Sequence, residues 1–221
     1  MASGCSKNLV VLMVVVLSFS INGFQNQFCL ADPTDGFQQV AISSNELVLQ
    51  KPYDQPTQNR YRSQDGVEKF WVYNNDKPFK PDSPTRPRTE IRIRGHDYSS
   101  GVWQFEGTAY VPKGTSGVTI MQVFGGASQA TTLQLRVYNG ELRYYSNRFV
   151  ASNIYDRWFR VNVIHDVEQG KVTVFIDGAQ KLVVDDKGRA TIYFKYGVYA
   201  APEGSSNYME SRWRGVKIFK K

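Results

Sequence analysis

Apolar and polar residues alternate with a period of two along most of this chain from residue 39 onward. Successive side chains of an extended strand point to opposite sides, so the alternation indicates strands with one buried face. No segment longer than a turn or two shows the helical spacing of apolar residues. The pattern predicts strands at residues 39–42, 46–50, 67–73, 88–94, 102–111, 118–124, 132–138, 141–146, 158–165, 171–176, 181–184, 191–199 and 211–219.

Short polar turns separate several of these strands. Asn139-Gly140 and Asp177-Gly178 predict two-residue hairpin turns, because both central positions of the favoured turn need a positive φ. Many short strands without a long helix between them favour two stacked antiparallel sheets or a barrel. The fold class is therefore all-β.

One strand alternates apolar and charged residues. In PRTEIRIRG one face carries Thr89, Ile91 and Ile93, and the other carries Arg88, Glu90, Arg92 and Arg94. The charged face has two interpretations: the solvated outer side of a half-buried strand, or a cationic floor for a carboxylate ligand. The proline-rich segment 74–87 leads into this strand and predicts a stiffened surface loop beside it.

Two further segments place polar groups on strands. Gln122 interrupts two apolar faces in TIMQVFGG, so its amide needs a partner, either a neighbouring loop or a ligand carboxylate. In TIYFKYGVYAAPEG, Tyr193, Lys195 and Tyr199 share one side with Gly197, where a ligand could approach the backbone. Taken alone, this second segment equally fits a strand with tyrosines on its solvent-exposed face.

The first residues indicate a secretory signal peptide. Lys7 precedes the apolar run LVVLMVVVL, and the small-residue site Cys29-Leu30-Ala31 follows. We expect residues 1–31 to be removed, leaving one β domain at residues 32–221. The apolar run is shorter than the roughly 20 residues that cross a bilayer, so no membrane anchor is expected. Both cysteines, Cys5 and Cys29, fall in the leader, so no disulfide is expected.

The chain carries a formal charge of +7, which predicts an anionic partner. A nucleic acid is disfavoured by the predicted secretion and by the lack of a polybasic block. The two histidines, His96 and His165, lie far apart and without neighbouring cysteines, so neither a metal centre nor a cofactor is expected. His165 follows apolar residues on its strand and is interpreted as a satisfied core histidine, and His96 as a turn residue.

Three segments together resemble one family. RTEIR, Gln122-Val123-Phe124 and YFKYGVY resemble the signature strands of the alginate lyase-type jelly rolls, which usually read R-T/S-E-L-R, Q-I/V-H and Y-F-K-x-G-x-Y. Stretches such as DPTDGF, DYSSGVWQFEG, IYDRWFR and NYMESRW resemble the plant citrate-binding proteins of this family. The resemblance implies an antiparallel β-sandwich of jelly-roll type, with the three strands side by side in a concave groove.

The resemblance also implies two functions, which stay open. The first is a non-enzymatic binder that holds citrate or a similar polycarboxylate in the cationic groove, through Arg88, Arg92, Gln122, Tyr193, Lys195 and Tyr199. The second is a lyase that cleaves a glucuronan or alginate type of uronate polysaccharide by β-elimination. In that case Arg88 and Gln122 would neutralise the carboxylate and Tyr199 would transfer the proton.

One departure favours the binder. Phe124 stands where the family pattern has a histidine, and a phenyl ring accepts no proton. Binding of an acidic glycan without turnover is a third interpretation, which the sequence does not separate from citrate binding. The resemblance further implies a secretory-pathway protein, vacuolar or in the cell wall, and we expect a monomer.

Overall fold

The computed structural model describes residues 31–221. The apolar run of the predicted signal peptide and both cysteines lie outside the described residues, so cleavage after Ala31 stays a prediction. No helix within residues 31–221 is long and apolar enough to cross a membrane.

Strands dominate this part of the chain, as the alternation predicts. They are β1 (Gln38–Val40), β2 (Leu47–Gln50), β3 (Tyr61–Gln64), β4 (Val67–Tyr73), β5 (Arg88–Ile93), β6 (Val102–Tyr110), β7 (Val118–Phe124), β8 (Thr131–Tyr138), β9 (Glu141–Tyr144), β10 (Arg148–Ala151), β11 (Trp158–Asp166), β12 (Lys171–Ile176), β13 (Ala179–Asp185), β14 (Tyr193–Ala200) and β15 (Tyr208–Lys220). The helical segments are two short 3-10 turns, Ser44–Glu46 and Thr57–Asn59.

The strands of residues 31–221 form two antiparallel sheets. The eight-stranded sheet has the order β13-β12-β11-β6-β15-β4-β3, with β1 paired to β15, and the seven-stranded sheet has the order β10-β9-β8-β7-β14-β5-β2. Both sheets of residues 31–221 end in edge strands that are paired on one side only, so the fold is a sandwich and the barrel alternative is wrong. The predicted antiparallel β-sandwich is confirmed.

The predicted strands are all present, with ends displaced by a few residues, whereas β3 and β10 escaped prediction. The predicted hairpin turns are also confirmed, because Asn139, Gly140, Asp177 and Gly178 all have φ between 50° and 83°. Both turns join consecutive antiparallel strands, β8 to β9 and β12 to β13.

Aromatic rings join the two sheets beneath the middle of the seven-stranded sheet. Tyr196 of β14 makes edge contacts with Phe70 of β4 and Trp213 of β15, with ring centroids 5.6 and 5.7 Å apart. All three side chains are fully buried. Buried aromatic rings contribute large apolar areas and prefer such edge geometries. The inner face of β14 is therefore fixed against the other sheet, which positions the residues on its outer face.

Candidate functional site

The strand order brings the three polar segments together. β14 lies between β5 and β7, so Lys195 is opposite Arg92 on one side and Gln122 on the other. Tyr199 is likewise opposite Arg88 of β5. Adjacent strands are about 4.8 Å apart, so these side chains are neighbours on one face. We call Arg88, Glu90, Arg92, Gln122, Tyr193, Lys195 and Tyr199 the cationic cluster; it contains every predicted site residue.

Gly197 allows β14 to approach β5 closely. Its φ is +135°, and a Cβ there would lie 2.5 Å from the carbonyl oxygen of Thr89 and 2.6 Å from Cα of Glu90. Both are backbone atoms, which a side-chain rotation cannot move away. The pairing of β14 with β7 also shifts register between Tyr196 and Tyr199. Glycine is therefore required for the local geometry that sets Lys195 and Tyr199 beside the arginines.

Glu90 is the centre of the cluster. Its Oε1 accepts a hydrogen bond from Nη1 of Arg88 at 3.0 Å and another from Nζ of Lys195, while its Oε2 accepts one from Nε2 of Gln122 at 2.5 Å. The partner of the Gln122 amide is thus neither a loop nor a ligand. The alternation in RTEIR places Glu90 on this face between Arg88 and Arg92, but it does not predict that Glu90 is the centre of the cluster.

The cluster has more positive than negative charge. The cations are Arg88, Arg92 and Lys195, and the carboxylates that pair with them are Glu90 and Asp97. Burial lowers the pKa of Lys195, and the neighbouring Glu90 carboxylate opposes that shift. Nε of Arg88 and Nε of Arg92 are both buried and have no hydrogen-bond partner among residues 31–221. The excess positive charge is a feature that an anionic ligand can compensate, whereas these two nitrogens are too deeply buried for a ligand to reach.

Aromatic rings hold the two guanidinium groups in place. The Arg88 guanidinium lies 3.9 Å from the ring centroid of Tyr199 and 5.0 Å from that of Phe79. The Arg92 guanidinium lies 3.8 Å from the ring centroid of Tyr193. Phe79 belongs to the proline-rich segment 74–87, which therefore forms a wall beside the arginine strand. Stacking of this kind orients a planar guanidinium before a ligand arrives.

The predicted site residues differ in their access to solvent. The side chains of Arg88 and Lys195 are 7% and 2% exposed, whereas that of Arg92 is 28% exposed. Gln122 is also buried, and Tyr193 and Tyr199 are partly exposed. The interpretation of β5 as a strand with a solvated charged face is therefore wrong at Arg88. Of the three cations, Arg92 is the one that a solute meets first.

Strand β8 extends the polar face, which was not predicted from the sequence. Gln134 is opposite Gln122, and Arg136 is opposite Thr119. Oε1 of Gln134 accepts hydrogen bonds from Nε and Nη2 of Arg136 at 2.9 and 2.8 Å, and from Oγ1 of Thr119 at 3.1 Å. The alternation in TLQLRVY was a signal of the same kind as that in RTEIR. The face thus carries a fourth cation, beyond the cluster.

Neither histidine joins the cluster. His165 lies on β11 of the other sheet, 3.1 Å from the Tyr98 hydroxyl and 3.2 Å from a carboxylate oxygen of Asp186. It is 1% exposed and burial lowers its pKa, so the interpretation as a satisfied core histidine is confirmed. Within the site, Phe124 stacks on Tyr193 with ring centroids 4.8 Å apart.

Comparison with known sequences gives one family. A family model described as alginate lyase matches residues 25–220. A citrate-binding protein from Hevea brasiliensis is 65% identical over 193 residues, which cover 87% of this chain and 81% of that protein.

Solved structures of similar fold are alginate lyases. One is the alginate lyase AlgAT5 of polysaccharide lyase family 7, with a TM-score of 0.60 and 17% identity over 84% of this chain and 94% of that one. Another, from Pseudomonas aeruginosa, has a TM-score of 0.57 and 16% identity, covering 80% of this chain and 98% of that one. At such identities the likeness extends to the fold alone.

Proposed function

This chain belongs to the alginate lyase family, and within that family we propose that it binds citrate, or a similar polycarboxylate, at the cationic cluster. The observation that carries the proposal is the excess of positive charge in a preorganised cluster, of which Arg92, at 28% exposure, is accessible to a ligand. The 65% identity to a citrate-binding protein supports it independently.

The arrangement of donors assigns different roles to the cluster residues. Glu90 already accepts the hydrogen bonds of Lys195 and Gln122, so these two residues hold Glu90 and support the site from beneath. The ligand carboxylates then contact Arg92 first, whose planar group suits bidentate recognition. Arg88 is a secondary contact, because it is 7% exposed and already donates to Glu90 through Nη1. Tyr193 and Tyr199, partly exposed, form the side walls of the site.

Arg92 is the expected entry point for the ligand. Its partner Asp97 is exposed and lies 2.5 Å away, and exposed ion pairs of this kind contribute little to stability. A ligand carboxylate can therefore replace Asp97 on the Arg92 guanidinium at small cost. Three carboxylates on one small molecule would also compensate more positive charge than Asp97 does.

Calorimetric titration with citrate tests the proposal. Replacing Arg92 by Ala should raise Kd at least tenfold, because hydrogen bonds to charged groups contribute about 1.5–3 kcal/mol and about 1.4 kcal/mol is a factor of ten. Arg92→Lys keeps the charge without the planar guanidinium group, so its Kd should lie between the Kd of the wild type and that of Arg92→Ala. Arg62→Ala removes an exposed arginine from β3 of the other sheet and is the matched control. Equal citrate affinities of the Arg92→Ala and Arg62→Ala variants would show that the cationic cluster is not the citrate site.

A second candidate function is β-elimination on a uronate polysaccharide. Family membership favours it, together with the Arg88 guanidinium 3.9 Å from the ring centroid of Tyr199. In this reaction a donor neutralises the uronate carboxylate, a base removes the proton on the adjacent carbon, and the glycosidic oxygen leaves with a proton. Since Phe124 accepts no proton, Tyr199 would have to serve as both base and acid.

Ultraviolet absorbance of unsaturated uronate ends separates the two functions. The purified protein is incubated with glucuronan, alginate and polygalacturonate, and the Tyr199→Phe variant is the control. This variant keeps the aromatic ring against Arg88 and loses only the hydroxyl. An increase in absorbance with the wild type but not with Tyr199→Phe would establish the lyase. No increase in absorbance with any of the three polymers would support the binder.

We also propose that the mature protein begins at Asp32 and enters the secretory pathway, with the vacuole or the cell wall as its destination. The fold supports this boundary, because Asp32 pairs with Arg160 at 2.8 Å and the carbonyl of Pro33 accepts a buried hydrogen bond from Gln104 at 2.7 Å. N-terminal sequencing of the protein secreted by an expressing cell tests the boundary. A terminus several residues beyond Asp32 would contradict it.

A further inference from the structure

A cleft of about 430 Å³ opens at one edge of the sandwich, between β2 of the seven-stranded sheet and β3 of the eight-stranded sheet. Its walls include Leu47, Leu49, Tyr61, Glu68 and Ile91. Ile91 lies on the opposite face of β5 from Arg88 and Arg92, so this cleft is separate from the cationic cluster. Its volume lies in the range of small-molecule sites.

A fixed carboxylate lies in this apolar cleft. Oε1 of Glu68 accepts a hydrogen bond from the Tyr61 hydroxyl at 2.7 Å, and its Oε2 accepts one from the Tyr196 hydroxyl at 2.7 Å. Tyr196 is fully buried in the aromatic core, so the carboxylate is held by a rigid partner. Two neutral donors orient the group and leave its negative charge uncompensated.

Glu68 differs from the deeply buried carboxylates of this protein. Glu90 is paired with Arg88 and Lys195, and Glu210 is paired with Lys69 and Arg212, whereas no cation of residues 31–221 lies within 4.0 Å of Glu68. Burial raises the pKa of the Glu68 carboxyl, as expected for an acid that loses water without gaining a cation. A half-buried anion in apolar surroundings is costly unless a counter-ion is supplied.

We propose that this cleft binds a small organic amine, with its ammonium group on the Glu68 carboxylate and its apolar body against Leu47, Leu49 and Ile91. The charge of Glu68 selects a cation, and the apolar walls select a hydrocarbon or aromatic body over an inorganic ion. Ser44 and Ser63 line the same cleft and can accept the remaining ammonium hydrogens. Carboxylate and phosphate ligands are excluded by repulsion from Glu68.

Calorimetry with 2-phenylethylamine and its neutral analogue 2-phenylethanol tests the proposal. We expect saturable binding of the amine by the wild type and at least tenfold weaker binding of the alcohol, since a hydrogen bond to a charged group is lost. Glu68→Gln removes the charge, keeps an oxygen acceptor for one of the two phenols and presents its amide NH2 to the other phenol oxygen. It should weaken amine binding at least tenfold. Glu203→Gln, an exposed carboxylate on a turn, is the matched control and should bind as the wild type does.

A second variant keeps the test decisive if Glu68→Gln does not fold. Leu49→Phe reduces the volume of the cleft without touching the carboxylate, and should also weaken amine binding. Arg92→Ala should leave amine binding unchanged, which separates this site from the proposed citrate site. The proposal is overturned if the wild type shows no saturable binding of the amine, or if the amine binds equally well to the wild type and to the folded cleft variants.

Discussion

Replacing Gly197 by alanine should damage both the fold and the cationic cluster. The added Cβ would lie 2.5 Å from the Thr89 carbonyl oxygen and 2.6 Å from the Glu90 Cα, well inside contact distance. Relief requires β14 and β5 to separate, because neither atom belongs to a movable side chain. Such a separation would also move Lys195 away from Glu90 and Tyr199 away from Arg88.

The size of the effect follows from two contributions. A non-glycine residue held in a sparsely populated region of positive φ costs about 1–3 kcal/mol, and forcing extra volume into a packed site costs about 1–3 kcal/mol more. We therefore expect Gly197→Ala to lower the free energy of unfolding by about 3 kcal/mol or more. A matched control is Gly178→Ala, because Gly178 has a φ of +79° and no neighbour within 4 Å of its Cβ position. The Gly178→Ala variant should therefore lose only the free energy that the positive φ costs, without a packing contribution.

Urea unfolding of the two variants and the wild type measures this difference. The Gly197→Ala midpoint should fall well below that of Gly178→Ala, at similar m-values. Citrate titration of the folded Gly197→Ala protein should show a raised Kd, and that of Gly178→Ala should not. Equal losses of stability in the two variants would refute the assignment of Gly197 to close strand packing.

Three further outcomes are expected. Glu90→Gln leaves Lys195 and Arg88 buried without their carboxylate and should cost about 3 kcal/mol in urea unfolding, against a negligible change for the exposed Glu203→Gln. Burial lowers the pKa of His165 in the folded state, so the unfolded chain binds the proton more tightly. The free energy of unfolding should therefore decrease as pH falls below about 6.5, and His165→Asn should reduce that slope in urea unfolding across this range. Citrate affinity should fall as sodium chloride is added, since the partly exposed Arg92 is open to screening; a salt-independent Kd in calorimetry would contradict the role of this residue.

The alternation in the sequence predicted the faces of the strands but not the contacts on them. It placed Arg88, Glu90 and Arg92 together, and the register of β14 brought Lys195 and Gln122 beside them. Which donor each carboxylate oxygen accepts depends on distances across three strands, which no single segment encodes. Glu90 as the centre of the cluster therefore emerged only from the structure.

Local sequence patterns could not predict the burial of Arg88 either. Its cover comes from Phe79 in a loop with four prolines, whose path depends on packing against β5 rather than on any periodicity. β3 is a different case, because Asp65-Gly66 has the positive φ values of a hairpin turn and the same dipeptide signal that was recognised at Asp177-Gly178. Its strand YRSQ has no apolar alternation, so the period-two pattern missed it.

The proton acceptors around Tyr199 bear on the choice between binding and elimination. The Arg88 guanidinium offers donors and no acceptor, the Phe124 ring accepts no proton, and the Lys195 ammonium donates a hydrogen bond to Glu90. Glu90 is the carboxylate of the cluster, but it is 2% exposed and already receives hydrogen bonds from Arg88, Lys195 and Gln122. Taking a proton there would break the ion pairs that hold the cluster together. The geometry therefore favours holding a carboxylate over removing a proton beside it, and any elimination would depend on the Tyr199 phenol alone.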